Sequence, residues 1–514
     1  MADPACSTAE DREALFTYLC EKTLAREAFS AIKYEKLKMD PKQAMLALRE
    51  EFVAADTEER LFYALCAMSN TRKDRHLRVS LIDGGLKLSH TAGVDKGVWP
   101  MSRDDIAEAP IRFANDYGQE DHYFLFVADY ARNIEQLSGG VLPDIGDRVT
   151  DVGGVSFAEY VQRVEPYQRY STHQGLWFAL AQGLGLRSYH VPPWIVGEQL
   201  ELELERRSGG RYRLTLPYLP HGTIEWNDPA PRAYSGFTQI FKRDTFDLYQ
   251  HAKHAVLLID WHLFGSKLLD DVDEMMALAK AQNMLDHALI FDGTQGGGGA
   301  RGVYLMQRLV SQSFTPTFGN LRISDVTEAF IEQRRAMHEH GKVNASGIPE
   351  TMDGGKWQMD WFLTDVRAAI RAGEAYTKNV PFKLAHAPKA SNNLFQPAEV
   401  HFRGPMAVLL GPHGGSHLDQ FASIVADNNL AHTIGMPTGG FSSTWEWEED
   451  LRFPISKRPL VRYRWSMGRS IRPNGEVLEG NPAMPKEYLP QTRDNYLGYH
   501  RLLIDKALRH FGKT

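Results

Sequence analysis

The sequence predicts an α/β fold in the C-terminal half of the chain, preceded by a helical region and a β-rich region. Apolar residues recur first at helical spacing, then in short alternating runs between turn residues, and finally in continuous runs that alternate with amphipathic stretches. A chain of 514 residues is too long for one hydrophobic core. We therefore expect a helical N-terminal domain over 1–80, a β-rich module over 81–225 and an α/β domain over 226–514.

The composition is typical of a globular protein and argues against several classes of function. Hydrophobic residues make up 43% of the chain and charged residues 24%. The net charge of -7 and the isoelectric point of about 6.3 give no basic footprint for nucleic acid. No run of about 18 apolar residues indicates a membrane span. We expect neither a nucleic-acid nor a membrane partner.

The cysteines and the first residues indicate the compartment. Cys6, Cys20 and Cys66 are too few, and odd in number, for a disulfide framework, which favours a reducing environment. The N-terminal stretch is acidic where a signal peptide is basic, and no apolar segment follows it. We therefore expect a cytoplasmic protein.

The first region is predicted to be helical up to about residue 70, because residues such as Leu15 and Leu19 share one helix face. The stretch SNTRKDRHLRVSLI, residues 69–82, then changes to a strand pattern, with His76 at the change. A lone histidine among basic residues is usually a solvated polar residue. Its position at the end of a helix leaves a catalytic role open.

The second region contains strand patterns separated by turn residues. Residues 124–127 form a short apolar run, and residues 200–205 alternate as a half-buried strand does. Between them, residues 141–161 predict a Gly-Asp turn, a strand, a Gly-Gly turn and a short helix in succession. Such a succession is typical of a small β-rich module.

Strands and helices alternate in the third region, after a predicted linker over 226–243. The patterns predict strands at 255–260 and 288–291 and an amphipathic helix at 270–283. Four glycines at 296–299 follow the second strand, without the spacing of a nucleotide-binding motif. They suit a loop whose N–H groups line a site.

A long insertion over about 303–400 separates this loop from the next strand. Helical periodicity predicts that the insertion is partly helical, at 326–338 and at 357–376. The sequence does not distinguish a lid over a site from an interface.

The stretch PMAVLLGPHGGSHLDQF, residues 405–421, is the strongest candidate for a catalytic site. A buried strand at 406–410 ends in glycines, and a helical pattern begins after Ser416. A small hydroxyl at a strand–turn–helix junction is exposed next to backbone N–H groups, as a nucleophile needs. A helix-capping serine explains the same pattern, since serine is a good N-cap.

Five stretches, taken in order, resemble the motifs of the S41 family, the C-terminal processing serine peptidases with their tricorn-core and retinoid-binding-protein relatives. They resemble its histidine-bearing helix-to-strand step, its PDZ-like segment, its oxyanion loop, its nucleophile turn and its C-terminal signature. The stretches are LCAMSNTRKDRHLRV, LPDIGDRVTDVGGVSFAEYV, ALIFDGTQGGGG, AVLLGPHGGSHLDQFASIVADNNLAHTIGMPTGG and GEVLEGNPAMP. The resemblance implies a crotonase-like (ClpP-like) α/β catalytic domain, with 81–225 as a PDZ-like module.

The resemblance also implies a choice between two serine mechanisms. The processing-peptidase branch uses a lysine twenty-five residues after the nucleophile, and here that position is Phe441. No lysine occurs between Ser416 and Lys457. The tricorn-like branch uses serine, histidine and glutamate. Arg75 stands where that branch has a small hydroxylic residue.

Carried over to this chain, the tricorn-like mechanism has Ser416 as nucleophile, His76 as general base and Glu479 as the carboxylate that orients it. The backbone N–H groups of His417 and of Gly296 or Gly297 would form the oxyanion hole. The rivals are Glu476 or Glu446 for the carboxylate, and the side chains of His413 or His417 for the base.

Three functions are compatible with these residues. The favoured one is a serine peptidase that cleaves peptide bonds through an acyl-enzyme, with the PDZ-like segment holding a chain terminus. The second is acyl transfer, hydrolysis or cyclisation of a small molecule in an aromatic pocket built from Trp445, Trp447 and Phe441. The third is a non-catalytic binder. We expect no cofactor and no metal, and relatives suggest a homo-oligomer.

Overall fold

The computed structural model describes most of the chain, namely residues 7–88, 106–120, 122–230, 232, 234–339, 359–381 and 393–513. Cys6 lies outside the described residues, and Cys20 and Cys66 are free thiols. Within the described part of the chain, no helix is long and apolar enough to cross a membrane.

The N-terminal region is helical, as predicted, and ends in one short strand. Capping side chains begin several of its helices: Thr8 accepts a hydrogen bond from the N–H of Asp11, and Asp40 accepts from that of Lys42. The elements are α1 (Ala9–Arg26), α2 (Ala31–Lys36), α3 (Pro41–Ala47), α4 (Arg49–Ala54), α5 (Glu58–Asn70) and β1 (Val79–Leu81).

The middle region is built on a six-stranded antiparallel sheet, in the order β3-β4-β5-β8-β9 with β6 beside β5. The elements are β2 (Ala107–Glu108), β3 (Ile111–Asp116), β4 (Phe124–Tyr130), α6 (Ile134–Leu137), β5 (Arg148–Val152), β6 (Val155–Ser156), α7 (Phe157–Val164), α8 (His173–Gly183), β7 (Leu186–Arg187), β8 (Gln199–Glu205), β9 (Arg211–Pro217) and β10 (Leu219–Pro220). The predicted strands at 124–127 and 200–205 are confirmed. So is the succession over 141–161, because Gly153 and Gly154 turn with positive φ between β5 and β6.

The C-terminal region contains the remaining elements: β11 (Phe237–Lys242), β12 (Phe246–His251), β13 (Val256–Trp261), α9 (Leu268–Ala281), β14 (Ala288–Asp292), α10 (Gly302–Leu309), β15 (Phe318–Leu321), α11 (Thr327–Glu339), α12 (Arg367–Ala372), β16 (Val380–Pro381), β17 (Met406–Leu410), α13 (His417–Asp427), β18 (His432–Gly435), β19 (Thr444–Arg452), β20 (Pro459–Ile471), β21 (Glu487–Tyr488) and α14 (Tyr499–His510). The predicted linker over 226–243 is partly wrong. Strand β11 lies inside it and pairs with β12 as the partly exposed edge of a sheet.

A seven-stranded sheet forms the framework of this region, in the order β11-β12-β13-β14-β17-β18-β21. The strands from β13 to β21 are parallel. Alternate residues face opposite layers: Leu257 and Ile259 pack towards α9, α10 and α13, whereas Val256 and Leu258 pack towards α14. Burial on both faces explains the continuous apolar runs of these strands.

The insertion between β14 and β17 packs on the long hairpin of β19 and β20. Strand β15 pairs with β20, and the predicted helix at 326–338 is confirmed as α11. The predicted helix at 357–376 begins outside the described residues. It continues as a π-helical turn over Phe362–Val366 and as α12.

The N-terminal helices share one hydrophobic core with the same hairpin. Leu15 and Leu65 are fully buried in a cluster that also contains Val461 and Trp465 of β20. Strand β1 pairs antiparallel with β20, Val79 opposite Tyr463. Because of this pairing, the stretch that contains His76 lies against the C-terminal region, although the stretch and that region are far apart in sequence.

Candidate active site

Ser416 occupies a strained position between a buried strand and a helix. Its φ of 60° and ψ of -120° are rare for a residue with a side chain, and such conformations cost about 1–3 kcal/mol. The residue is partly exposed, and its side chain makes no capping hydrogen bond to α13. The helix-capping interpretation is therefore wrong, and the strain is typical of a functional position.

The segment 441–443 holds this turn in place. The N–H of Ser416 donates to the carbonyl of Phe441 at 2.8 Å. A Cβ on Gly415 would lie 1.9 Å from an edge carbon of the Phe441 ring, so the ring packs directly on that glycine. Position 415 must therefore be glycine for Phe441 to take this place beside the serine.

His76 and Glu479 contact the same segment. The Nδ1 atom of His76 lies 3.2 Å from the hydroxyl oxygen of Ser443, and its ring meets the Phe441 ring edge-to-face at 5.2 Å. A carboxylate oxygen of Glu479 accepts from the N–H groups of Ser442 and Ser443, at 2.6 and 3.0 Å. The structure thus brings the three predicted catalytic residues to one short segment.

The known polar neighbours of the His76 imidazole lie on its Nδ1 side. Its backbone N–H donates to Asp74 at 2.8 Å, and the same carboxylate oxygen lies 3.9 Å from Nδ1. In the tautomer with the proton on Nδ1, that N–H donates to Ser443. The other ring nitrogen, Nε2, then keeps the lone pair that a general base needs.

Glu479 is a buried carboxylate with one cationic neighbour. Its exposed fraction is 3%, and the Lys33 ammonium lies 3.4 Å from it. Burial raises the pKa of Glu479 to about 7, the charge of Asp74 adds to this rise, and Lys33 opposes it. The rival Glu476 is exposed and accepts from the amide of Asn481 at 3.1 Å.

The rival base His417 has a structural environment. Its ring is buried, its Nε2 accepts from the N–H of Gly302 at 2.6 Å, and its Nδ1 lies 2.9 Å from the side-chain carbonyl of Gln420. The lone pair of this imidazole is therefore occupied, and the ring ties α13 to α10. His413 packs edge-to-face on Phe178, and burial lowers its pKa.

The prediction of Gly296 or Gly297 as an oxyanion donor needs correction. The N–H of Gly296 donates to Gly293 at 3.2 Å, and that of Gly297 to the His262 carbonyl at 2.6 Å. Both groups are already used within the loop. The next glycine, Gly298, lies against the nucleophile turn.

A Cβ on Gly298 would lie 2.6 Å from the Cβ of Ser416 and 3.0 Å from the nitrogen of His417. Within the described residues, the N–H of Gly298 donates to no acceptor. Because the backbone approaches the serine so closely, position 298 requires glycine. This loop residue, rather than its two predecessors, borders Ser416.

The predicted aromatic pocket is also wrong. Trp445 is only 7% exposed, and its ring centre lies 5.1 Å from that of Trp361 of the insertion, in a cluster that includes Phe330 and Met467. Trp447 is half-buried and packs against the same cluster. Both indoles attach the insertion to the hairpin, and only Phe441 of the three predicted aromatic residues lies beside Ser416.

Sequence reasoning missed several polar residues of the site. Asp419, fully buried on the first turn of α13, accepts from the N–H of Gly440 at 3.0 Å and from the hydroxyl of Thr438. Burial raises its pKa to about 7. Its spacing of three residues from Ser416 on a helix was a usable signal. Lys33 and Ser443 could not be recognised from the sequence, because the residues that they contact are far away along the chain.

Two cavities lie near the site, and neither is lined by Ser416, His76 or Glu479. One, of about 1230 Å³, lies between the N-terminal helices and the middle region and is bordered by Lys73, Ser171 and Gly480. The other, of about 330 Å³, lies at the carboxyl ends of the parallel strands and is bordered by Thr294 and His413. Among the described residues, no group of three or more His, Cys, Asp or Glu side chains is placed to hold a metal ion.

Comparison with solved structures shows the class of fold, a mixed helix-and-sheet fold that this chain shares with mature CPAF. Mature CPAF superposes with a TM-score of 0.69 at 14% identity, over 98% of this chain and 99% of that chain. Mature CPAF complexed with lactacystin gives a TM-score of 0.68 at 14% identity, over 98% of each chain. A scan with protein-family models and a search of curated proteins both give no match. The resemblance to the S41 family is confirmed at the level of the fold.

Proposed function

We propose that this protein is a serine peptidase of the S41 type, which cleaves peptide bonds through an acyl-enzyme on Ser416. One observation carries the proposal: the segment 441–443 contacts Ser416, His76 and Glu479, while Ser416 is held in a strained and partly exposed conformation. The likeness to mature CPAF supports it through the fold.

In the proposed mechanism, the Ser416 oxygen attacks the scissile carbonyl carbon, and Nε2 of His76 takes the hydroxyl proton. The same proton passes to the leaving amine, and water then hydrolyses the acyl-enzyme. Glu479 acts on His76 through Ser443, whose N–H it binds and whose hydroxyl meets Nδ1. The N–H groups of His417 and Gly298 stabilise the oxyanion, each by about 3 kcal/mol.

The surroundings suit a peptide substrate. The larger cavity, of about 1230 Å³, is bordered in part by the middle region, which we propose as a PDZ-like module next to a crotonase-like catalytic core. The small-molecule alternative loses its structural basis, because Trp445 is buried against the insertion. The expected location, oligomer and absence of a cofactor stay predictions.

The test is hydrolysis of fluorescently labelled, denatured casein by wild type, Ser416→Ala and His76→Ala. Ser423→Ala is the matched control, since that serine is buried in the same helix and bonds only to the Gln420 carbonyl. We expect cleavage by wild type and the control, and none by the other two variants. Absence of cleavage by folded wild type would favour the non-catalytic binder.

A further inference from the structure

Arg75, next to the proposed general base, carries a guanidinium group that lies over two aromatic rings. Its central carbon lies 4.7 Å from the centre of the Phe441 ring and 5.6 Å from that of Phe178. Within the described residues, this guanidinium makes no hydrogen bond and no ion pair, while the Arg75 backbone N–H donates to Ser171. The side chain is only partly exposed, and burial lowers its pKa.

Other arginines in the same part of the fold are paired. Arg72 donates to the Glu27 carboxylate at 2.5 Å, and Arg464 donates to Glu448 at 2.9 Å. Holding a cation in a partly buried place without a counter-ion is unfavourable. An arginine kept in such a place is typical of a position that receives its anion from a ligand.

The ring under Arg75 is the one that borders the reactive serine. Phe441 packs on Gly415, its carbonyl accepts from Ser416, and His76 meets the same ring. A group bound to the guanidinium therefore lies beside the scissile bond. The carboxylate charge that acts on Arg75 is that of Asp419, which accepts hydrogen bonds from Thr438 and Gly440 and, among the described residues, makes no ion pair with Arg75.

We infer that Arg75 binds a substrate carboxylate next to the scissile bond, so that the enzyme selects peptides with a negative charge at that position. This inference rests on the proposed peptidase function. A guanidinium presents two parallel N–H groups that match a carboxylate. The carboxylate comes either from an aspartate or glutamate side chain or from the C-terminus of the peptide, and both have the same chemistry.

The test first maps the cleavage sites of wild type in a library of proteome-derived peptides by mass spectrometry. Peptides around these sites are then made in two kinds of matched pair. In the first, the C-terminus is amidated and a glutamate is compared with a glutamine. In the second, the peptide has no acidic side chain, and a free C-terminus is compared with an amidated one. The ratio of kcat/KM within each pair is measured for wild type, Arg75→Gln, Arg75→Lys and Arg78→Gln. Arg78 is the matched control, because its guanidinium already faces Glu448 at 3.9 Å.

We expect wild type to favour the charged member of one pair by about tenfold or more, as charge-assisted hydrogen bonds do. Arg75→Gln reduces the ratio to about one, Arg75→Lys retains part of it, and Arg78→Gln leaves it unchanged. Because the ratio is taken within each variant, partial misfolding cancels. The pair that shows the preference identifies the source of the carboxylate.

Equal cleavage of charged and neutral peptides by wild type would overturn the inference and leave the peptidase function intact. A preference that persists in Arg75→Gln would also overturn it. Absence of any cleavage by wild type would contradict the proposed function itself, and the inference with it. The two failures are therefore distinguishable.

Discussion

Two neighbouring parallel strands of the central sheet, β14 and β17, lead to polar residues with opposite surroundings. Strand β14 ends at Asp292, whose exposed fraction is 0%. Its carboxylate accepts from the side chains of Arg232, Tyr234, His500 and Thr294, and from one backbone N–H. The pKa of Asp292 lies far below its ordinary range: burial raises it, but the His500 hydrogen bond and the Arg232 charge outweigh that effect.

Strand β17 leads instead to Ser416, where polar groups have fewer hydrogen-bonding and ionic partners. The serine has a strained backbone, its side chain does not cap the helix, and Arg75 nearby has no counter-ion among the described residues. Saturated polar groups at a buried strand end stabilise the fold. Backbone strain and an unpaired charge at a partly exposed position are typical of an active site. We call these two places the Asp292 end and the Ser416 end.

Removing the reactive hydroxyl gives the largest expected effect. Ser416→Ala reduces kcat by about 10⁴- to 10⁶-fold, because it removes the oxygen that forms the proposed acyl-enzyme. Its free energy of unfolding stays within about 0.5 kcal/mol of wild type, since alanine keeps the same unfavourable φ. Casein hydrolysis and urea denaturation measure the two quantities. A large loss of stability would show that this serine is structural.

Removal of the proposed general base, His76, gives the second-largest expected effect. His76→Ala lowers kcat by about 10³-fold or more, since the hydroxyl of Ser416 then has no proton acceptor. His401→Ala is the control, because that imidazole bonds to the Ala398 carbonyl away from the site. Equal activity of His76→Ala and wild type would remove His76 from the mechanism.

The Asp292 end responds in the opposite way. Asp292→Asn lowers the free energy of unfolding by about 3–5 kcal/mol, because it leaves Arg232 and His500 with a partly unsatisfied buried partner. The folded fraction keeps its activity towards casein. Thermal denaturation, combined with active-site titration, checks both statements. Loss of activity without loss of stability would place Asp292 in the reaction.

The two ends also differ in their dependence on pH. Glu479, beside the Ser416 end, has a pKa raised from 4.5 to about 7, so its contribution to stability is complete below pH 4.5 and is lost as the pH rises through 7. Asp292 has a lowered pKa, so its contribution is present above 3.8 and is lost only in stronger acid. Glu479→Gln therefore removes about 2–3 kcal/mol of the variation in unfolding free energy between pH 4.5 and 7. An unchanged profile in chemical denaturation at a series of pH values would contradict the assignment.

The smallest effect concerns the strain itself. Ser416→Gly raises the free energy of unfolding by roughly 1 kcal/mol relative to Ser416→Ala, because glycine adopts positive φ without strain. The matched control is Ser423→Gly, a helical position at which glycine lowers stability by about the same amount. If Ser416→Gly is not more stable than Ser416→Ala, the turn carries no strain.

Local patterns were sufficient to predict much of the fold. The strand before Ser416 and the turn around it lie within one stretch of chain, so apolar run, glycines and serine indicate them directly. The edge strand β11 was missed, because none of its residues is fully buried and its three apolar residues form no continuous run. The role of Trp445 was missed for another reason. Its partner, Trp361, belongs to a distant insertion that no pattern connects to it.

The sequence was sufficient to predict candidate residues for the site, but not the contacts that support them. Lys33 and Glu479 are 446 residues apart in sequence, and nothing near either one indicates the contact. The choice between Gly297 and Gly298 depends on which N–H the His262 carbonyl accepts, and this is a property of the folded loop. Such long-range contacts are set by packing of the whole chain.

The most direct measurement is labelling of wild type, Ser416→Ala and Asp292→Asn with a fluorophosphonate probe, followed by mapping of the adduct by mass spectrometry. If Ser416 is the nucleophile, we expect one adduct, on Ser416, in wild type and in the folded fraction of Asp292→Asn, and none in Ser416→Ala. Folded wild-type protein without an adduct, or with the adduct on another serine, would contradict the claim that the Ser416 end is the reactive centre.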